Sequence, residues 1–176
     1  MITQVVIIRH GLSEKDKMDP KRGITNLGKN QIKSTGQFLK SLTKGKSVVI
    51  ITSDVPRAQQ SAGVLSRELA ADVKTFSNMR VDNLDFLSKD QDKLFNLYFR
   101  LFDRGKLPKV VISPNQVAKR FLDIIASAGD YEIAVIVGHS VALEAFANYQ
   151  EIFLPKKTLK ELGYAEFAVL EKVNHG

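Results

Sequence analysis

The stretch Val5-Val6-Ile7-Ile8-Arg9-His10-Gly11 decides how this chain is read. Its four aliphatic residues are short, continuous and β-branched, which is the pattern of a strand buried on both faces. The pattern recurs at Val48-Val49-Ile50-Ile51 and from Ile133 to Val137, and Val73 to Phe76 reads as a short further strand. Helical patterns separate these runs. Thr25 caps a helix reaching about Lys44, with Leu27, Ile32, Thr35, Leu39 and Leu42 on one face and Gly45 at its end. Pro56 suits the first turn of a helix to Ala70, and Ser113-Pro114 opens another that stops at Gly129. A short helix is expected after Gly138-His139-Ser140, and a last strand from Tyr164 to Leu170.

Strands alternating with helices predict an α/β fold. The expected architecture is a three-layer αβα sandwich with a mostly parallel central sheet and one antiparallel C-terminal strand. Residues 1–176 read as one domain, with a helical, cap-like insert around 78–112 whose stripe at 94–102 suits core packing.

In such sheets, ligands bind beyond the carboxyl ends of the strands. Three strand ends here carry chemistry: Arg9-His10-Gly11, Ser53 with nearby Arg57, and Gly138-His139-Ser140. Two of the chain's three histidines therefore fall immediately after buried strands; the third is His175. Two arginines and two histidines collected at one edge suit a phosphoryl group. Arginine clamps its oxygens, one imidazole is able to attack phosphorus, and the other stabilises developing charge.

Composition narrows the alternatives. The chain is 44% hydrophobic and 26% charged, with no cysteine, so thiolate chemistry and disulfides are excluded. No apolar run reaches membrane-spanning length and the N-terminus lacks the layout of a signal peptide, so a cytoplasmic protein without membrane attachment is expected. The net charge is +7, and residues 14–46 hold nine Lys/Arg against three acids. That field favours an anionic ligand, although a solvated helix face has the same composition. Nucleic acid is not the expected partner, because aromatic residues are not interleaved with the basic ones. No carboxylate cluster has metal-ligand spacing and no nucleotide loop is present, so neither metal nor cofactor is expected.

Four blocks, VIIRHG near the N-terminus, IT-NLG-x-x-Q at 24–31, S-x-x-x-R-A-x-x-S-A at 53–62 and VIVGHS at 135–140, together resemble the histidine phosphatase superfamily, also called phosphoglycerate mutase-like. The resemblance spans nearly the whole chain. It implies that His10 is the nucleophile that becomes phosphorylated, and that Arg9, Arg57 and His139 complete the phosphate pocket. Gly11, Ser13, Thr25 and Ser140 are its candidate substrate-binding residues. Family members usually carry Glu after RHG, where this chain has Leu12, and a longer segment before the Thr25 block. The shortness is closer to the small phosphohistidine phosphatases. The usual acid signature is also absent; Asp82 fits its position, with Asp85 second. The expected activity is hydrolysis of a phosphomonoester, small molecule or phosphoprotein, through phosphohistidine. The alternatives are a phosphoglycerate-type mutase and a non-catalytic phosphate-binding regulatory module. The oligomeric state is left open.

Overall fold

Strand β1 (Gln4–Arg9) lies inside the sheet, and its four aliphatic residues are all buried. The structure, a computed structural model, describes residues 2–14, 21–84, 87–88, 91–150 and 161–170. β1 pairs in parallel with β4 (Ile133–Gly138), placing Val5 opposite Ala134 and Arg9 opposite Gly138. On its other side it pairs antiparallel with β5 (Phe167–Leu170). β2 (Val48–Ser53) lies parallel to β4, and β3 (Asp72–Phe76) parallel to β2. The order β3-β2-β4-β1-β5 is the mostly parallel sheet with one antiparallel C-terminal strand that the sequence predicts.

Alternate residues of a strand face opposite sides, and here each side has its own core. Val6, Ile8, Ile50 and Val135 pack with Ile32 and Leu39 of α1 (Asn26–Thr43) and with Ala62 and Leu65 of α2 (Pro56–Leu69). Val5, Ile7, Ile51 and Ile136 meet Phe95, Tyr98 and Phe99 of α3 (Gln91–Asp103), Phe121 of α4 (Pro114–Ser127) and Phe146 of α5 (Ala142–Tyr149). The helical part of 78–112 thus buries Phe95, Tyr98 and Phe99 in the core, while Leu97, Leu101 and Phe102 of the expected stripe are only partly buried. Tyr98 Oη also donates to the Ile112 carbonyl at 2.7 Å. No helix among the described residues is long and apolar enough to cross a membrane.

The helix starts follow their caps. Thr25 Oγ1 accepts from Gly28 N at 3.0 Å, and Ser113 forms a reciprocal capping box with Gln116 ahead of Pro114. Two expectations shift. Leu27 is 57% exposed, because the buried stripe of α1 runs through Gly28, Ile32, Gly36, Leu39 and Thr43, one position on. β5 begins at Phe167 rather than Tyr164. Ala165 takes a left-handed turn there, φ 59°, and its N–H bonds the Arg9 carbonyl at 3.1 Å, which ends the ladder early.

The stripe shifts because α1 touches backbone rather than side chains at Gly28. A methyl group on Gly28 would collide with the Leu12 carbonyl, and one on Gly11 with the Gly28 carbonyl. Neither neighbour is a flexible side chain. Gly28→Ala should therefore destabilise the protein by about 1–3 kcal/mol, as overpacking does. Urea denaturation measures this; an unchanged midpoint would show that α1 moves away freely.

Candidate active site

Parallel pairing of β1, β2 and β4 brings Arg9-His10, Ser53 and Gly138-His139 to one edge of the sheet. His10 continues the β1–β4 pairing by one residue, its N–H bonding the Gly138 carbonyl at 3.1 Å. Its ring is buried. Nδ1 lies 2.8 Å from the Gly11 carbonyl, which only accepts, so Nδ1 holds the proton and Nε2 keeps its lone pair. Arg57 Nε donates to that Nε2 at 3.2 Å. Burial, and then the charges of Arg57, Arg9 and Arg22, push the His10 pKa down to about 3, opposed by the bond to Gly11. At neutral pH the ring is an uncharged base with its lone pair toward an arginine.

His139 follows β4 directly, and its ring centroid is 5.3 Å from that of His10. Its Nε2 lies 2.8 Å from Ser53 Oγ, fully buried at the end of β2. Its Nδ1 has no partner among the described residues. Burial first, then His10, Arg57, Arg80 and Arg9, hold His139 well below the ordinary histidine range. An anion bound between the rings would oppose those positive charges and raise both values.

Arg57 is the second residue of α2, where Pro56 starts the helix. Burial, with Arg22 and Arg80 nearby, lowers it to about 10, so it stays cationic at pH 7. Ser61, one turn on, accepts from Gly11 N at 3.1 Å and donates to the Arg57 carbonyl at 2.8 Å. That residue ties the histidine turn to the helix carrying Arg57. Arg9 is held from the other side. Its Nη1 bonds Glu161 Oε1 at 2.7 Å and the Leu162 carbonyl at 2.6 Å, and its guanidinium stacks on Tyr164 at 4.5 Å.

A cleft of about 400 Å³ opens over these groups. Arg9, His10, Arg57, His139 and Ser140 line it as the sequence predicts. Arg22, Arg80, Glu161 and Tyr164 also line it, and Val81, Leu84, Leu94 and Phe95 form an apolar wall. The sequence reading missed Arg80, Glu161 and Tyr164, and took Arg22 only as part of a basic segment. Arg80 had one signal: it follows β3 at the same carboxyl edge of the sheet.

Other expected site residues lie elsewhere. Asp82, the expected acid, is not among the cleft-lining residues; its Oδ2 accepts from Arg120 Nη1 of α4 at 2.8 Å. That ion pair ties the carboxylate to α4. Asp85 lies outside the described residues. Thr25 is a helix cap, its hydroxyl also donating to the Leu12 carbonyl at 3.1 Å. Ser13 is buried in an isolated bridge with Ile24 and does not line the cleft. Gly11 provides close approach to α1 at Gly28. Val141, which also lines the cleft, takes φ 72° and ψ −54° directly after Ser140, a strained conformation for a β-branched residue.

Glu144, on α5, is fully buried. Its Oε1 accepts from Leu162 N at 2.8 Å, and the Leu162 carbonyl in turn holds Arg9. Its Oε2 has no partner among the described residues. Burial pushes its pKa from 4.5 up to about 7. Between those values the folded state binds the extra proton, so this group makes stability fall as pH rises from about 4.5 to 7. The loss is about 3 kcal/mol at its full extent. Glu144→Gln keeps an acceptor for Leu162 and should remove that decline. Denaturation at several pH values across this window checks it; an identical slope in the variant would refute the assignment.

The sequence model of the histidine phosphatase superfamily (branch 1) matches residues 5–171. Among curated proteins, none matches the chain significantly by sequence. Solved structures share the fold at low identity. One described as a phosphohistidine phosphatase SixA of Agrobacterium tumefaciens aligns with a TM-score of 0.64 and 16% identity, covering 98% of this chain and 93% of that one. A mycobacterial glucosyl-3-phosphoglycerate phosphatase aligns at 0.66 and 21%, covering 95% and 89%. An Escherichia coli structure described as an alpha-ribazole-5'-P phosphatase aligns at 0.63 and 16%, covering 96% and 90%. The family match over nearly the full length decides the assignment: this chain belongs to the histidine phosphatase superfamily, branch 1.

Proposed function

We propose that the protein is a phosphatase that hydrolyses a phosphomonoester through a phosphohistidine on His10. The observation that carries this reading is the tautomer of His10. Its Nδ1–H is committed to the Gly11 carbonyl, so a neutral Nε2 faces Arg57 in a cleft shared with Arg9 and His139. In the first step an N–P bond forms at Nε2 as the bond from phosphorus to the leaving oxygen breaks. In the second, water attacks phosphorus, the N–P bond breaks, and inorganic phosphate leaves. Arg9, Arg57 and His139 hold the transferring oxygens in both steps.

Proton delivery to the leaving oxygen separates substrate types. With Asp82 paired to Arg120, Glu161 is the carboxylate lining the cleft among the described residues, and it is bonded to Arg9. This arrangement favours leaving groups that need little protonation, so aryl phosphates should be turned over faster than alkyl phosphates.

The test is a rapid mix of enzyme with phosphoryl-labelled phenyl phosphate, quenched in alkali within the first turnover. Protein-bound label that survives base and is lost in acid supports the reading. Phosphate release with no protein-bound label would overturn it, and absence of release would favour the phosphate-binding module instead.

A further inference from the structure

We propose that the cleft contains a second anion subsite, built on Arg80, and that the substrate is a small phosphomonoester whose organic part carries a second acid group, carboxylate or phosphate. The proposal rests on the phosphatase reading for the identity of the first anion. It concerns a residue that the phosphohistidine chemistry does not use.

The backbone at Arg80 is held by its neighbours. Met79 on one side is fully buried and Val81 on the other is 8% exposed, so the backbone is anchored to the core while Arg80 itself is exposed at the cleft. Among the described residues it has no hydrogen bond and no ion pair. The carboxylate nearest to it in sequence, Asp82, is taken by Arg120 at 2.8 Å. The carboxylate that lines the cleft among the described residues, Glu161, is taken by Arg9 at 2.7 Å. Its charge nevertheless reaches the phosphoryl pocket, since it helps lower both Arg57 and His139. A cation kept this close to other cations, with no paired carboxylate among the described residues, raises the energy of the empty site and lowers that of a site holding an anion.

A phosphoryl group at His10 has Arg9, Arg57 and His139 as partners, which leaves Arg80 unmatched. The surface beside Arg80 indicates what joins the two anions. Val81 and Leu84 follow it, and Leu94 and Phe95 of α3 stand with them in one apolar wall. Such a wall suits a carbon skeleton, with polar groups confined to the two ends. A cleft of about 400 Å³ is the size of a small-molecule pocket.

Binding of a matched pair of non-hydrolysable probes tests this without relying on turnover. Benzylphosphonate and 3-carboxybenzylphosphonate differ only in the second acid group. Isothermal titration should give the carboxylated probe about tenfold higher affinity, an advantage that fades with added salt. Arg80→Gln should bring the ratio to about one, and Arg80→Lys should retain part of it. Lys109→Gln removes the same charge from an exposed position that does not line the cleft, and should leave the ratio unchanged. A ratio near one in the wild-type protein, or one unaltered by Arg80→Gln, overturns the subsite. Equal loss from Lys109→Gln also overturns it, by showing only a diffuse positive field. Turnover of phenyl phosphate by the same preparation judges the phosphatase reading separately.

Discussion

His10→Ala is expected to lower turnover of an aryl phosphate by about 10⁴-fold or more, the scale on which loss of a covalent nucleophile acts. On the proposed route the imidazole is the group that bonds phosphorus, so its removal takes away the covalent step. The nearest ring, His139, has its Nε2 engaged by Ser53. Binding should persist, because Arg9, Arg57 and His139 remain. The variant should therefore still take up inorganic phosphate, and the alkaline-stable label should vanish. The fold should also survive, since His10 is buried as a neutral ring whose one backbone bond is to the adjacent residue. Stability at acidic pH should even improve. With its pKa near 3 in the fold against 6.5 when free, the wild-type ring opposes folding increasingly as pH falls below 6.5. Steady-state rates, phosphate binding and acid denaturation together check the assignment. Activity within about tenfold of wild type would remove His10 from the chemistry.

Arg57→Ala should cost about 10²–10³-fold in turnover, as loss of one fixed charge-stabilising donor does. A second consequence distinguishes it from a merely structural loss. Arg57 donates to His10 Nε2 and its charge helps depress His10. Without it the imidazole becomes a stronger base, and the acidic limb of kcat/KM should move to higher pH. Arg57→Lys should restore the charge but not the planar fork that matches phosphate oxygens, so rescue should be partial. A variant with lowered rate but an unmoved acidic limb would show that Arg57 does not act on His10.

Much of this site is legible in the chain because its residues sit immediately after elements that local sequence specifies. Arg9 and His10 follow β1, His139 follows β4, and Arg57 stands in the first turn of a helix marked by Pro56. Once the strands are read as parallel, their carboxyl ends must share an edge. The two serines of the 53–62 block acquire their meaning only in three dimensions. Ser53 meets His139 across 86 positions, and Ser61 meets Gly11 across 50.

The acid shows the opposite case. Asp82 occupies a plausible position along the chain, yet a single ion pair with Arg120, 38 residues away, decides where its carboxylate goes. Glu161 and Tyr164 reach the cleft because a turn at Ala165 folds their segment over Arg9, and no periodicity announces that turn. Glu144 has the spacing of an ordinary helix residue, and only the packing of α5 makes it a buried acceptor for Leu162.

Short-range regularities, three buried β-branched runs and a short edge strand with helices between them, were enough by themselves to determine the sheet, its direction and the His10–Arg57–His139 edge. They act through backbone geometry and solvent exclusion, which depend on residues close together in the chain. The tertiary structure alone decided which carboxylate among the described residues lines the cleft, which arginine there has no ion-pair partner among them, and how far the two histidines are held neutral. Those properties depend on burial and on charges brought together from distant positions, and neither is written in any local stretch.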